Sequence, residues 1–320
     1  MKAVTYQAYG APDVLDLVEL PKPVPGPGQV VVEVRATVVS SGDARMRAFD
    51  IPALFRIPAR FMLGWPKPKK PVLGFSYSGV IDTVGAGVSG FKPGDEVMGG
   101  HVGGAHAEYD CVPSNKAIAI KPAAVSFEAA ATIAFGPNTA LTFLRKSGVG
   151  TGTRLLIIGA SGAVGSSAVQ LAHHLGADVT AVCSAANADL VRSLGANRVI
   201  DYAAEDIRKL GETFDVVFDT VGAMTFADIL PLLAPRGIFA TAVMAPSDIW
   251  PMLWAPARKG RKIVGGEAEA TSENLTYLAD LITKSALKPV IDSRYTFDTI
   301  RDAHARVDTK RKRGDVVVTL

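Results

Sequence analysis

The sequence predicts an α/β protein with two domains: a β-rich, barrel-like domain completed by both chain ends, and a doubly wound parallel sheet inserted between them. Three observations carry this. The first third is rich in valine, glycine and proline and breaks into short strand-like runs. From Thr153 onward, apolar runs alternate with helical stretches, the rhythm of βαβ units. The tail from about Pro289 returns to the earlier style. The boundaries fall at 1–122 and 287–320 for the β-rich domain and 123–286 for the inserted one, and 320 residues suit two domains.

Along the chain, Val30–Val39 and Gly79–Val84 read as strands. Turn clusters at Pro25–Gly28 and Lys92–Asp95 punctuate them. Ser126 is a candidate N-cap for a helix opening at Phe127. Arg154–Ile158 (RLLII) is continuously apolar after its first residue, as a strand buried on both faces should be. A helix follows over about Ala163–Leu175, with Val164, Ala168, Leu171 and Leu175 on one face. Further strands are expected at Asp178–Val182, Arg198–Ile200, Asp215–Asp219, Gly237–Ala242 and Arg261–Val264, and a last one at Val316–Val318.

Composition narrows the function. Hydrophobic residues make up 48% and charged residues 20%, enough apolar material for a large core. A formal charge of +3 is too small to argue for nucleic acid, and Pro66–Lys70 and Lys310–Arg313 are short basic runs without an aromatic-rich face. The two cysteines, Cys111 and Cys183, build no disulfide framework. Met1–Gly10 lacks the pattern of a signal peptide, and no apolar stretch is long enough for a bilayer. A cytoplasmic protein with no membrane and no nucleic-acid partner is expected.

Two glycine motifs compete. Gly85–Gly90 spells GxGxxG after a strand, but Phe91–Asp95 (FKPGD) cannot begin a helix, so no row of free N–H groups awaits a pyrophosphate. The segment reads as a turn. Gly159, Ala160, Ser161, Gly162, Ala163, Val164 and Gly165 spell GxxGxxG between a buried strand and a helix. There Gly159 allows the tight turn, Gly162 lets backbone approach phosphate, and Gly165 lets helix and strand pack closely. This is the expected dinucleotide site of a Rossmann domain.

The second strand of that domain ends at Cys183–Asn187 (CSAAN), with no carboxylate to hold a ribose 2′-OH and none to repel a 2′-phosphate. Ser184 can donate a hydrogen bond to that phosphate. NADPH is the expected cofactor, with NADH possible.

Several segments together give the chain a family likeness. They are the opening MKAVTYQAYGAPDVLDLVELPKP, Val84–Val97 (VGAGVSGFKPGDEV), Gly103–Tyr109 (GGAHAEY), Phe135–Leu141 (FGPNTAL) and Leu194–Tyr202 (LGANRVIDY). The chain resembles the medium-chain dehydrogenase/reductase superfamily, in its zinc-free quinone-oxidoreductase-like branch, over almost its whole length. The resemblance implies a GroES-like catalytic domain, a cleft between domains and hydride transfer from a nicotinamide. It places Asp43 at the Asp of the family's Asn-Pro-x-Asp segment, with Ser40 and Ser41 replacing the Asn and Pro. It places Thr139 beside the cofactor, Tyr202 near the adenosine ribose, and Val221 and Val243 near the nicotinamide half. Dimers through sheet edges are common in such families, so a homodimer is expected.

Zinc-dependent relatives hold the metal at positions that here carry Ser40, Phe75 and Phe135, and a catalytic zinc needs three protein ligands. No metal is expected. His101 and His106 read as loop or cleft-edge histidines, and His304 as a surface helix residue. Tyr77 and Tyr109 are candidate proton donors, with Tyr109, in an expected strand, read first as a packing residue.

Without a Lewis acid, an electron-poor acceptor is the easier substrate. The protein's work is then positioning and charge stabilisation. A small hydrophobic quinone or activated alkene is expected, with Ser40, Asp43 and Thr139 as the catalytic candidates. Two other readings stay open: a zinc-free alcohol or aldehyde dehydrogenase, and a nucleotide-binding regulator with weak catalysis. The segment Arg45–Trp65, with Phe49, Phe55, Phe61, Met62 and Trp65, reads either as an apolar lid or as core beneath a loop. Trp250 and Trp254 are candidates for the same cleft or for an oligomer interface.

Overall fold

The computed structural model describes residues 1–51, 56–248 and 260–320. Phe55, Trp250 and Trp254 lie outside the described residues. In chain order the strands are β1 (Lys2–Tyr6), β2 (Leu15–Glu19), β3 (Gln29–Val39), β4 (Ser76–Val84), β5 (Glu96–Gly100), β6 (Tyr109–Pro113), β7 (Ile118–Ile120) and β8 (Arg154–Ile158). They continue with β9 (Asp178–Cys183), β10 (Arg198–Asp201), β11 (Phe214–Asp219), β12 (Leu233–Thr241), β13 (Lys262–Val264), β14 (Ile291–Thr296) and β15 (Asp315–Thr319). The helices that matter below are α1 (Ser41–Ala48), α2 (Arg56–Leu63), α3 (Phe127–Thr132), α4 (Gly136–Lys146) and α5 (Ala163–His174).

Two compact units form. The first holds Met1–Asn138, Ala270–Ser285 and Ile291–Leu320; the second holds Thr139–Glu269 and Ala286–Val290. The sequence reading put 123–138 and 270–285 in the inserted domain. Hydrogen bonds explain why they go with the chain ends. Ser76 Oγ donates to Ala131 O, and Ser78 Oγ to Phe127 O at 2.6 Å, which fastens α3 to β4. Ser272 Oγ reaches Lys116 O and Ile118 O at 2.8 and 2.7 Å.

The first unit is the β-rich one. Its main sheet runs β14-β15-β3-β4-β5-β7, with β6 also on β3, and β1 pairs with β2 in a small separate sheet. The eleven-residue β3 is the spine, and its valines Val30, Val32 and Val34 pack with Tyr77, Ile81, Val97, Val112 and Ile118. The C-terminal strand β15 lies antiparallel to β3, with Val316 opposite Val39 and Thr319 opposite Ala36. The C-terminal strands β14 and β15 therefore extend the sheet built on β3, in line with the return of the valine-rich style in the tail.

The second unit is a parallel sheet in the order β10-β9-β8-β11-β12-β13. Numbered from its own first strand, this is the doubly wound 3-2-1-4-5-6 arrangement, which binds ligands beyond the carboxyl ends of the strands where the order reverses. The Arg154–Ile158 strand and the Ser126 N-cap stand where the sequence puts them, with Ser126 Oγ accepting from Ala129 N at 3.2 Å. Helix α5 differs from expectation. It is not amphipathic: Ala163 to Ala172 are all buried, and exposure begins only at His173. Gly165, Ser166, Ser167 and Ala168 are small enough for close packing on every side. Buried Gln170 accepts from Lys288 N at 2.8 Å and donates to Lys288 O at 3.0 Å.

Candidate functional site

In the second unit, each expected cofactor contact stands just past the carboxyl end of a strand. The glycine loop follows β8, Ser184 follows β9, Tyr202 follows β10, Val221 lies beyond β11 and Val243 beyond β12. Gly159 has φ +80°, a conformation side chains disfavour. A Cβ on Gly165 would lie 2.1 Å from Gly159 O, so only glycine lets α5 approach β8 this closely. Gly162 is the N-cap of α5 and offers no side chain to its first turn, whose N–H groups have no intrahelical acceptor. The loop and the start of α5 thus form a cradle suited to a pyrophosphate.

The neighbouring loops close on this cradle. A Cβ on Gly159 would meet Val221 Cγ1 at 2.6 Å, and one on Gly222 would meet Val243 Cβ at 2.9 Å. Thr220 Oγ1 donates to Ile158 O at 2.8 Å, and Tyr202 N donates to Cys183 O at 3.2 Å. Tyr202 and Val221 are the exposed members, at 64% and 54%. Two residues that the sequence reading did not single out hold the set together. Asp219, fully buried, accepts from Val221 N, Gly222 N and Met224 N, each at 2.9 Å. Burial pushes its carboxyl above the usual range, and those three N–H groups work against that shift. Asn187 Nδ2 donates to Ser161 Oγ at 2.9 Å, and its buried Oδ1 has no partner among the described residues. An Asp ending a Rossmann strand before a glycine-bearing loop is a signal that could have pointed to Asp219.

The Gly85–Gly90 segment is a turn, as expected. Gly85 is needed there for packing, since a Cβ would lie 1.9 Å from Gly26 O.

In the first unit, Ser40 and Asp43 form a capping box at the start of α1. Ser40 Oγ donates to Asp43 Oδ2 at 2.6 Å, Asp43 N donates to Ser40 Oγ at 3.1 Å, and Gly74 N donates to Asp43 Oδ1 at 3.1 Å. The two side chains are 1% and 4% exposed, so the Ser40 hydroxyl proton is already committed. Phe75 and Phe135 meet edge to face with ring centroids 5.9 Å apart. A Cβ on Gly42 would lie 3.2 Å from Phe135 Cε2 and 3.3 Å from Ser40 Oγ. The three positions that match zinc ligands are thus assembled, but as a committed hydroxyl and two rings. This donor set does not fit zinc. Among the described residues no group of three or more His, Cys, Asp or Glu could hold a metal ion. Between Ala130 and Leu141 only Phe135 and Thr139 keep partial exposure.

His304, His106 and Tyr77 fall differently from expectation, whereas His101 and Tyr109 do not. His304 is buried, with neither ring nitrogen hydrogen-bonded, and meets His106 edge to face at 5.4 Å. It lies on the same helical face as Ile300, Ala303 and Val307, and that face packs into the core. His106 is also fully buried, its Nε2 3.3 Å from Val38 O. Only His101 is loop-like: Nε2 sits 2.7 Å from Asp110 Oδ2, with 27% of the His101 side chain accessible and 6% of Asp110. Tyr77 is fully buried, which puts its hydroxyl out of reach of a bound acceptor, and burial, then the Asp110 charge, pushes that hydroxyl well above the usual range. Tyr109 lies under Lys22, whose Nζ is 4.0 Å from the ring centroid. In the Arg45–Trp65 segment Phe49 is core, whereas Phe61, Met62 and Trp65 are at least 70% exposed.

Comparison with known proteins places these features. Residues 26–122 match the family described as alcohol dehydrogenase GroES-like domain, and residues 194–318 match the one described as zinc-binding dehydrogenase. The 2-methylene-furan-3-one reductase of Solanum lycopersicum is 32% identical over 99% of this chain and 79% of its own length. The quinone oxidoreductase structure from Coxiella burnetii has a TM-score of 0.87 at 27% identity, covering 100% of this chain and 99% of that one. The Escherichia coli quinone oxidoreductase complexed with NADPH has a TM-score of 0.86 at 25% identity, with 100% of both chains covered.

Proposed function

We propose that this chain, which belongs to the medium-chain dehydrogenase/reductase superfamily in its quinone-oxidoreductase-like branch, is a zinc-independent reductase that uses NADPH to reduce a quinone or activated alkene. One observation carries the reading. An intact nucleotide cradle at Gly159–Gly165 coexists with a committed hydroxyl and two phenylalanines at the positions where zinc would be held. The name of the second matching family mentions zinc, but the residues here do not supply its ligands.

Bound NADPH supplies a hydride. The chain's own residues do the rest. The first-turn N–H groups of Ala163, Val164 and Gly165 would hold the pyrophosphate, and Gly162 would let it come close. Ser184 and Asn187 are neutral at the 2′ position, so neither repels a phosphate, and Asn187 Oδ1 can accept from a ribose hydroxyl. Tyr202 flanks the adenosine side, and Val221 and Val243 give the nicotinamide side an apolar wall. Thr139 offers a hydroxyl beside the cofactor. Asp43 is a positioning residue: it fixes Ser40 and the Gly74 backbone, and through them the Phe75–Phe135 wall against which an apolar acceptor packs.

An electron-poor acceptor suits such a site, because hydride addition creates a negative charge that hydrogen-bond donors can meet. Among the described residues no helix is long and apolar enough to cross a membrane. A cytoplasmic homodimer belongs to the same proposal, and light scattering on the purified protein tests the dimer.

The experiment is steady-state loss of reduced-nicotinamide absorbance with chelator-treated protein, comparing NADPH and NADH against quinones, enones and aldehydes. Turnover of quinones or enones with NADPH favoured is the expected result. Tight NADPH binding with no turnover on any acceptor would make the chain a nucleotide-binding regulator instead.

A further inference from the structure

We propose that His101, held by Asp110, is the catalytic proton donor to the reduced acceptor, an assignment that rests on the reductase reading above. The argument begins with place. His101 N donates to Phe75 O at 2.9 Å, so the residue is tied to the Phe75–Phe135 wall. Gly100, just before it, packs so closely that a Cβ would lie 2.6 Å from Ala134 Cβ and 3.1 Å from Phe75 Cε1. The end of β5 therefore lies against Phe75 and against Ala134, the neighbour of Phe135, and His101 is the first side chain beyond that contact.

The dyad is a built feature. Asp110 sits near the start of β6, nine residues from His101, and its carboxylate grips Nε2 at 2.7 Å. Gly104, with φ +124°, leaves room for both partners: a Cβ there would lie 2.5 Å from Asp110 Oδ1 and 3.0 Å from His101 Cε1. Tyr77 closes the core side, its ring edge to face with the imidazole at 6.0 Å. The titratable groups around the ring are Asp110 and its neighbour Cys111 on β6, Tyr77 on β4, and Lys70, whose Nζ donates to Val102 O at 2.9 Å. A purely structural tie would spend the ring. Here Nδ1 has no hydrogen-bond partner among the described residues, and the side chain keeps 27% accessibility beside a carboxylate that is nearly buried.

The chemistry balances. Reduction of an enone adds one hydride and one proton. The hydride forms a C–H bond at the β-carbon, and the displaced π electrons become an enolate. The His101 Nδ1–H bond then breaks, its electron pair stays on nitrogen, and the proton goes to the enolate. The neutral ring regains a proton from solvent. Asp110 holds the ring in one orientation and faces its positive charge.

The test uses the full-length protein with NADPH and compares an enone with a para-quinone. An enolate is strongly basic and needs its proton at once, whereas a hydroquinone anion is a weak base and does not. For His101→Gln, kcat on the enone should fall ~100-fold or more, the usual scale for losing a general acid. The loss on the quinone should be much smaller. NADPH affinity by fluorescence quenching and the thermal midpoint should stay close to those of the unaltered protein. Asp110→Asn, which keeps the size of the side chain, should give an intermediate loss with the same enone bias. Equal losses on both acceptors would overturn the assignment while leaving the reductase reading intact. Failure of the unaltered protein to turn over any acceptor would overturn both.

Discussion

Asn187 Nδ2 donates to Ser161 Oγ at 2.9 Å, which ties the loop after β9 to the glycine loop after β8. The side chain of Asn187, which the proposal puts at the 2′ position, is thus neutral and held by the glycine loop itself. Asn187→Asp would put a carboxylate where a 2′-phosphate is expected. Two like charges at about 4 Å repel by about 1–4 kcal/mol between the water and protein-surface limits. The kcat/KM for NADPH should fall at least ~5-fold, while that for NADH should hold or rise. Equal loss for the two cofactors would mean that Asn187 supports the loop without reading the 2′ position.

Gly165 and Gly162 should separate packing from binding. A Cβ at 165 would lie 2.1 Å from backbone, so Gly165→Ala should cost about 1–3 kcal/mol of stability as α5 is pushed from β8. At 162 the nearest atom would be 3.5 Å away, an ordinary contact. Gly162→Ala should cost stability by no more than about 1 kcal/mol, the scale of an N-cap change. It should nevertheless weaken NADPH binding, because the methyl stands at the phosphate approach. Urea unfolding and NADPH titration of both variants check the contrast.

These glycines were legible in the sequence because their effect is local: a buried strand, a turn and a helix in succession. That the tail joins the valine-rich main sheet was legible from composition alone. His304 was misread although its spacing with Ile300, Ala303 and Val307 marks a buried face; charged neighbours Arg301, Asp302 and Arg306 masked that pattern. In α5 the apolar periodicity located the helix but not its burial, because the small residues Gly165, Ser166 and Ser167 are buried on the other faces as well. The His101–Asp110 pair was invisible for a different reason. Nine residues apart, the two meet only because the glycine-rich loop after β5 folds back to place His101 beside β6. Ser40 and Asp43 stood out by family likeness, yet their i, i+3 spacing also spells a capping box, which is the geometry they adopt.

The Phe75–Phe135 wall predicts the response to metals. Dialysis against a strong chelator should leave quinone- or enone-dependent NADPH oxidation unchanged, and added zinc should not raise it. Phe135→Ala would remove the ring that lies against Gly42 and faces Phe75 at 5.9 Å. It should raise KM for apolar acceptors more than for small polar ones. A chelator-sensitive rate, restored by zinc, would contradict the donor set at Ser40, Phe75 and Phe135.

The His106–His304 pair makes stability depend on acid. Burial, then the nearby His106 and Arg47 charges, hold the His304 pKa well below its usual value. Burial also lowers His106, with Asp43 and Val38 O only partly offsetting it. Both rings are therefore kept neutral in the fold, while in the unfolded chain they take up protons near pH 6.5. The stability they allow is fully present above pH 6.5. It is lost as pH falls below that value, by up to about 1.4 kcal/mol per pH unit for each ring. His304→Phe keeps an aromatic ring against His106 and removes one of the two titrations. Between pH 7.5 and pH 5, the urea midpoint of the unaltered protein should therefore drop more steeply than that of the variant. Parallel curves would assign the acid sensitivity to other groups.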